Sequence, residues 1–184
     1  MMTDAKLAFV GIGTPLSLVG ASGATFTAPL IVDLLGAGAG TLVTNIWGNS
    51  LLPGQADAMG VGGPRPELNI SIGTALVANA GAPTLTAALQ YAPDNGAGSP
   101  GAWQTVATSG AVTVAQGTAN QVIWRQPWIP PYPVNLRPRF VQLIFTTPAA
   151  TSFSAGTIAS ALVTTVRDDI FQMQQPRNYT VGPL

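Results

Sequence analysis

The sequence predicts an all-β protein, built as an antiparallel sandwich or barrel. Apolar residues recur with a period of two, as in half-buried strands, and turn-forming residues separate these short runs at a regular spacing. No stretch shows the pattern of an amphipathic helix, because glycine or threonine interrupts the alanine-rich pieces every few residues. A chain of 184 residues fits one domain with a full core.

Three segments alternate most clearly, residues 67–77, 83–92 and 157–166. Side chains of one strand point alternately to its two faces, so each segment is expected to bury one face. The expected faces, in chain order, are Leu68, Ile70, Ile72, Thr74 and Leu76; Leu85, Ala87, Leu89 and Tyr91; and Ile158, Ser160, Leu162, Thr164 and Val166. Shorter candidate strands lie at residues 5–10, 15–19, 29–34, 41–47, 103–108, 111–115, 121–126 and 139–147.

Clusters of glycine and proline predict where the chain reverses, at residues 79–83, 93–101, 108–110 and 146–156. Residues 96–101 also spell the dinucleotide-binding pattern GxGxxG. That pattern needs a helix directly after the glycines, whereas here a strand follows and Pro100 interrupts. We therefore interpret residues 93–101 as a hairpin loop.

Residues 1–169 are predicted to form a single domain, and residues 170–184 an extended C-terminal arm. Two segments of the domain stand apart, a glycine-rich insertion at residues 36–66 and a loop at residues 127–138 that holds five prolines. Proline lacks an N–H for a strand ladder, so the second segment is expected at an edge or in an extended loop.

The chain is unusually poor in charge. Seven basic and seven acidic residues make up 8% of it, against roughly 25% in an average soluble domain. Hydrophobic residues make up 47%, and the mean hydropathy is +0.35. An isolated domain with such a surface would be poorly soluble. The protein is therefore expected either in a membrane or with much of its surface covered by partners.

A protein assembly is favoured over a membrane. The long charge-free stretches are interrupted by glycine, asparagine, threonine or serine, so none predicts a spanning helix. The first residues, with Asp4 and Lys6 ahead of a short apolar piece, do not have the pattern of a signal peptide. A small outer-membrane barrel also needs polar and charged residues inside it, and these are scarce.

Composition also excludes several chemistries. The chain has neither cysteine nor histidine, which removes disulfides, thiolate nucleophiles, imidazole ligands and Ser-His-Asp catalysis. Zero net charge and a single lysine argue against nucleic-acid binding. The acidic residues are scattered, and the adjacent Asp168 and Asp169 point to opposite faces of a strand. We expect no enzyme, no cofactor and no metal site.

Arginine and aromatic residues lie close together in one region, with Arg125, Arg137 and Arg139 near Trp124, Trp128 and Tyr132. Such residues can stack on sugars or bases, or can simply lie at the surface, but they are also enriched in protein interfaces, which we favour. From their position in the extra segments, the expected partner contacts are Trp47, Trp128, Tyr132, Phe171, Arg177 and Tyr179.

Taken in order, six stretches carry a resemblance to a known family: LIVDL at residues 30–34, then GVGGPRPELNISI, APTLTAALQYAPD, WQTVATSGAVTVA, RFVQLIFTT and FSAGTIASALVTTVRDD. In their order and spacing they resemble the jelly-roll capsid cement (decoration) proteins of tailed bacteriophages. The resemblance covers most of residues 4–169, whereas residues 36–56, residues 127–138 and the tail depart from it.

The resemblance implies an eight-stranded jelly roll on the outer surface of a virion capsid, made in the cytoplasm of the bacterial host. It implies a structural protein that stabilises the capsid by bridging neighbouring major capsid protein subunits. It also implies a homo-oligomer, with a dimer favoured over a trimer, and no catalytic residues. The alternative is a carbohydrate-binding jelly-roll module, of phage-fibre or lectin type, with Trp47 or Trp128 as a platform for a sugar.

Overall fold

A computed structural model describes residues 8–11, 13–33, 43–44, 50–51, 66–127 and 138–165. Every regular element in these ranges is a β-strand, which confirms the all-β prediction. No helix in the described ranges is long and apolar enough to cross a membrane.

The described ranges contain fourteen strands. The first six are β1 (Ala8–Val10), β2 (Leu16–Ser17), β3 (Thr25–Thr27), β4 (Val32–Asp33), β5 (Val43–Thr44) and β6 (Ser50–Leu51). The other eight are β7 (Pro66–Ile72), β8 (Val77–Ala80), β9 (Thr84–Ala92), β10 (Gln104–Thr113), β11 (Val122–Pro127), β12 (Phe140–Thr146), β13 (Ser152–Ala155) and β14 (Thr157–Thr165).

Two five-stranded antiparallel sheets pack against each other as a β-sandwich, as predicted. In the first sheet the order is β1-β14-β7-β11, and β2 also pairs with β14. In the second the order is β10-β9-β12-β3, and β4 also pairs with β12. Two further pairs, β13-β8 and β5-β6, complete the described strands.

The core lies between the sheets and follows the predicted alternation in β7 and β9. Leu68, Ile70 and Ile72 of β7 are fully buried. In β9 the same holds for Leu85, Ala87 and Leu89, with Tyr91 1% exposed. On the neighbouring strand β12, Leu143 is aligned with Leu89 and is also fully buried. The period of two therefore identified the core faces of these two strands correctly.

The predicted face of β14 is wrong at Ser160, which is not in the core, whereas Leu162 is buried as expected and Val166 lies outside the described residues. Ile158 is aligned with Ile72 and Ser160 with Ser71, so Ala159 is an extra residue, or β-bulge, on β14. The bulge shifts the alternation by one residue, and the core side continues with Ala161 and Val163. Ser160 lies on the outer face, where its Oγ is 2.7 Å from that of Ser71.

The strand predicted at residues 67–77 ends at Ile72. At this point the chain turns, and the N–H of Gly73 donates to the carbonyl oxygen of Thr157 at 2.8 Å. A Cβ at Gly73 would lie 2.6 Å from Oγ1 of Thr157, so only glycine permits this close approach. Leu76 is nevertheless buried, because it packs in the core after the turn.

The reversal predicted at residues 108–110 is a bulge within one strand. β10 continues through the segment and joins the two strands expected at 103–108 and 111–115. Ser109 and Gly110 together lie opposite Ala87, whose N–H donates to Oγ of Ser109 at 3.0 Å. Gly110 has a φ of 73°, a conformation that costs little only for glycine. The turn-forming residues of this segment therefore bend the strand rather than reverse it.

Of the other predicted turns, residues 79–83 and 93–101 do connect strands. The region 146–156 is not wholly a turn, because it contains β13, which pairs with β8. Each of the shorter candidate ranges contains all or part of a strand; β11 and β12 nearly match residues 121–126 and 139–147, whereas β2 in residues 15–19 and β4 in residues 29–34 are shorter than expected.

Leu89 tests the core at the centre of the second sheet. We expect Leu89→Ala to lower the free energy of unfolding by about 2–5 kcal/mol, since it leaves a cavity among fully buried neighbours. Val19→Ala, at a side chain 52% exposed, is the control and should change it by less than about 0.5 kcal/mol. Chemical denaturation measures both, and equal effects would contradict this placement of the core.

Candidate functional site

The sandwich has two different ends. At one of them, here called the loop end, the connections are short and hydrogen-bonded to one another. For example, the N–H of Leu76 donates to the carbonyl of Gly117 at 2.8 Å, and that of Gly23 to Thr151 at 3.0 Å. The connections at the loop end are residues 18–24, 73–83, 114–121 and 147–156.

Strand pairing brings the other strand ends together at the opposite side, here called the segment end. The register aligns Asp33 with Phe140 in the second sheet. In the first sheet it aligns Glu67 with Pro127, and Pro66 with Thr165. The ranges that adjoin these strand ends and the start of β1 are 1–7, 34–65, 128–137 and 166–184, of which only 43–44 and 50–51 are described.

The six residues predicted to contact a partner all lie outside the described residues. They are Trp47, Trp128, Tyr132, Phe171, Arg177 and Tyr179. Their positions in the chain place each of them in a range that leaves the sandwich at the segment end. The described residues nearest in the chain to the insertion, the proline-rich loop and the arm therefore lie on one side of the fold.

Charge is distributed between the two ends very unevenly. The charged residues in the described ranges are Asp33, Glu67, Asp94, Arg125 and Arg139, all at or close to strand ends on the segment side. Residues 13–31, 68–93, 95–124 and 140–165, which include the whole loop end, contain no charged side chain. The exposed large hydrophobic residues Val19, Leu30, Ile31, Val77 and Val122 all lie in these uncharged ranges.

Three of the five described charges meet in one cluster at the segment end, here called the Arg139 cluster. Nε and one terminal nitrogen of Arg139 donate to the two carboxylate oxygens of Asp33, at 3.1 and 3.0 Å. The other terminal nitrogen donates to Asp94. Arg139 is 8% exposed, and its guanidinium lies 4.8 Å from the ring centre of Phe140. The cluster thus joins the end of β4, the start of β12 and the loop after β9.

Asp94 also organises its own loop. Its Oδ1 accepts hydrogen bonds from the N–H groups of Gly96, at 2.8 Å, and Gly98, at 3.0 Å. The Gly96 hydrogen bond is the main cause that lowers the pKa of Asp94; partial burial opposes the shift, and Arg139 and Gly98 lower the pKa further. The hydrogen bond to Asp33 is the main cause that raises the pKa of Arg139.

The Arg139 cluster corrects one interpretation and adds residues that the sequence did not indicate. Arg139 is not an open interface anchor, because it is buried between two carboxylates. Trp124 is 8% exposed and packs in the core, while Arg125 beside it is exposed. Asp33 and Asp94 looked scattered because they lie 106 and 45 residues from Arg139 in the chain. No local spacing could have shown that they meet.

A small cavity of about 260 Å³ lies between the edge strands β10 and β11. Its polar groups come from Ser109, Gln116 and Gln121, and its lining carries no charge. Its volume lies below the about 300–1,000 Å³ of drug-sized ligand sites, so it suits only a small neutral molecule. The remaining lining residues are Ala111, Val112, Val122 and Ile123.

No protein-family model matches the chain, and no curated protein matches it.

Acid should loosen the loop that Asp94 holds. Because the folded state lowers the pKa of Asp94, its contribution to stability is present above the ordinary value of about 3.9 and disappears as the pH falls through the lower folded value. NMR titration between pH 6 and pH 2 should show the Gly96 and Gly98 amide signals moving below pH 4. The movement should be absent in Asp94→Asn, and a midpoint at or above 3.9 in the wild type would contradict this assignment.

Proposed function

We propose that the protein is a non-enzymatic structural protein of a tailed-phage virion, which binds the outside of the capsid and bridges neighbouring major capsid protein subunits. The observation that carries the proposal is the uncharged body of the sandwich, on which exposed hydrophobic side chains lie in ranges without any charge. Depletion of charge is a property of the centre of protein interfaces. A surface of this kind favours coverage by another protein rather than by water.

The strand order supports the finer proposal of a jelly roll. The eight strands would be β1 with β2, β3 with β4, and then β7, β9, β10, β11, β12 and β14. In this order the chain crosses between the two sheets at every step except the β9–β10 hairpin. Such crossings produce the two-sheet arrangement of Greek keys that jelly rolls share. Because this architecture serves many functions, it supports the virion proposal only together with the surface.

In this proposal each end of the sandwich contacts a different partner. The segment end would contact the major capsid protein through the ranges that hold the predicted contact residues. The loop end would contact a second copy of the chain, giving the homodimer that the resemblance favours. All four residues of β8 are exposed and uncharged, and among the described strands β8 pairs only with β13. A free strand edge without charge or proline is open to pairing with another chain.

Bridging stabilises the shell by mass action. A protein that binds the assembled lattice, and not its separated subunits, stabilises the lattice by its free energy of binding. A dimer that contacts two subunits gains further affinity, because the second contact forms at a high effective concentration. No bond is made or broken, so the absence of histidine and cysteine is no obstacle to this function.

The cavity between β10 and β11 keeps carbohydrate binding as a second candidate. Its neutral hydroxyl and amide groups are suited to sugar hydroxyls, and its volume suits a single sugar ring. Trp124 is buried and offers no stacking platform, and the half-buried Trp103 does not line the cavity. Trp47 and Trp128 lie outside the described residues. The observation favouring this candidate is thus limited to the cavity itself.

Binding to capsids tests the proposal directly. The purified protein should co-sediment with expanded empty capsids of the phage whose major capsid gene neighbours this gene, and should raise their melting temperature. A variant that ends at residue 169 should bind more weakly with an unchanged circular dichroism spectrum, since it lacks one segment of the segment end. Absence of co-sedimentation would refute the virion proposal, and glycan-array binding alone would favour the carbohydrate candidate.

A charge on β8 tests the dimer. We expect Val77→Glu to shift the protein from dimer to monomer in light scattering, because it buries a carboxylate in the uncharged contact. Val77→Thr, which keeps the size and adds no charge, is the matched control and should remain dimeric. A monomeric wild type, or a dimeric Val77→Glu protein, would exclude β8 as the contact between copies.

A further inference from the structure

We propose that Arg139 is a positioning residue for partner binding at the segment end, acting through Asp33 and Asp94 rather than by touching the partner. This inference rests on the proposed function for its binding consequence. Its structural part concerns described residues alone and can be tested in the free protein.

The position of the Arg139 cluster is the first argument. Asp33 is the last residue of β4, directly before residues 34–65, and Arg139 follows residues 128–137 by two positions. Asp94 is the second residue of the loop that leads from β9 to β10. The N–H of Arg139 also donates to the carbonyl of Ala92 at 2.9 Å, so its backbone and its side chain both hold the start of this loop. One side chain therefore fixes three points at which the chain enters the segment end.

The chemistry of the cluster is the second argument. A buried ion pair is weak evidence for stability, because desolvation of its charges offsets their attraction. The chain has only seven basic residues, and one of them, Arg139, is buried in this cluster. We therefore look for a role of Arg139 other than stability. A guanidinium fixes direction as well as distance, since its planar fork binds both oxygens of Asp33 and still reaches Asp94. This geometry specifies how the three chain segments lie relative to one another.

The exposed surface that results is the third argument. Asn95, Gly96, Ala97, Gly98 and Ser99 are all exposed, and the loop that they form is held at its base by Asp94. Arg139 offsets one of the two carboxylate charges, so the cluster keeps one net negative charge, and its guanidinium faces Asp33 and Asp94 rather than the partner. Arg139 thus keeps the neighbouring strand ends in one arrangement before a partner is met, which lowers the entropy lost on binding.

Replacing all three charged residues of the Arg139 cluster with neutral ones distinguishes a role in positioning the strand ends from a role in stabilising the fold. In Arg139→Met combined with Asp33→Asn and Asp94→Asn, no unpaired charge remains, so the melting temperature should stay within about 4 °C of the wild type. Arg139→Met alone leaves two carboxylates facing each other and should melt earlier. The neutral triple variant should nevertheless bind capsids about tenfold or more weakly, because its contacts no longer engage together. Glu67→Gln, which changes the net charge by the same one unit at the same end but lies outside the cluster, is the control and should bind as the wild type does.

Hydrogen exchange in the free protein gives the second measurement. In the triple variant the amides of Gly98 and Gly101 should exchange about tenfold faster, while those of Leu76 and Thr147 at the loop end should not change. Unchanged exchange at Gly98 and Gly101, or capsid binding equal to that of the wild type, would overturn the role of Arg139. If the wild type itself does not bind capsids, the proposed function fails, and the exchange rates alone decide whether Arg139 positions the loop. Should the triple variant not fold, Asp94→Asn alone permits the same comparison.

Discussion

The register of the central strand pairs is the constraint on which the rest of this structure depends. β7 with β14, and β9 with β12, align the buried side chains of each sheet, and a slip by one residue would turn every one of them outward. The same register aligns Asp33 with Phe140, Glu67 with Pro127 and Pro66 with Thr165. Burial of the core therefore also decides that the described residues flanking 34–65, 128–137 and 166–184 lie at one end.

The described charged residues lie away from the body of the sandwich. The two sheets and the loop end are built from small, apolar and neutral polar residues, and the described charges lie towards the segment end. There three of them meet in the Arg139 cluster, where the guanidinium is shared by two carboxylates and one net negative charge remains. An uncharged body with a charge-bearing end differs from the mixed surface of a freely soluble domain. It matches the proposed structural protein, whose body is covered in an assembly and whose segments contact the capsid.

Local irregularities explain where pattern reading succeeded and where it was wrong. In β7 and β9 the period of two located the core side correctly, because these strands keep their alternation up to their ends. In β14 the extra residue Ala159 shifts the alternation. In β10 the turn-forming residues predicted a reversal, but Ser109 and Gly110 form a bulge within a continuous strand. A bulge and a turn draw on the same residue types, so only the partner strand distinguishes them.

The sequence by itself determined the fold class, the core of the regular strands and the scarcity of charge, because composition and alternation are local properties. The sequence also distinguished the three extra segments, because they are rich in glycine or proline or extend beyond the predicted strands. Only the tertiary structure decided that the described residues flanking these segments lie at one end of the sandwich, and that Asp33, Asp94 and Arg139 meet there. The physical reason is that contacts between distant residues are set by strand register and by crossings between sheets, and neither leaves a spacing that can be read along the chain.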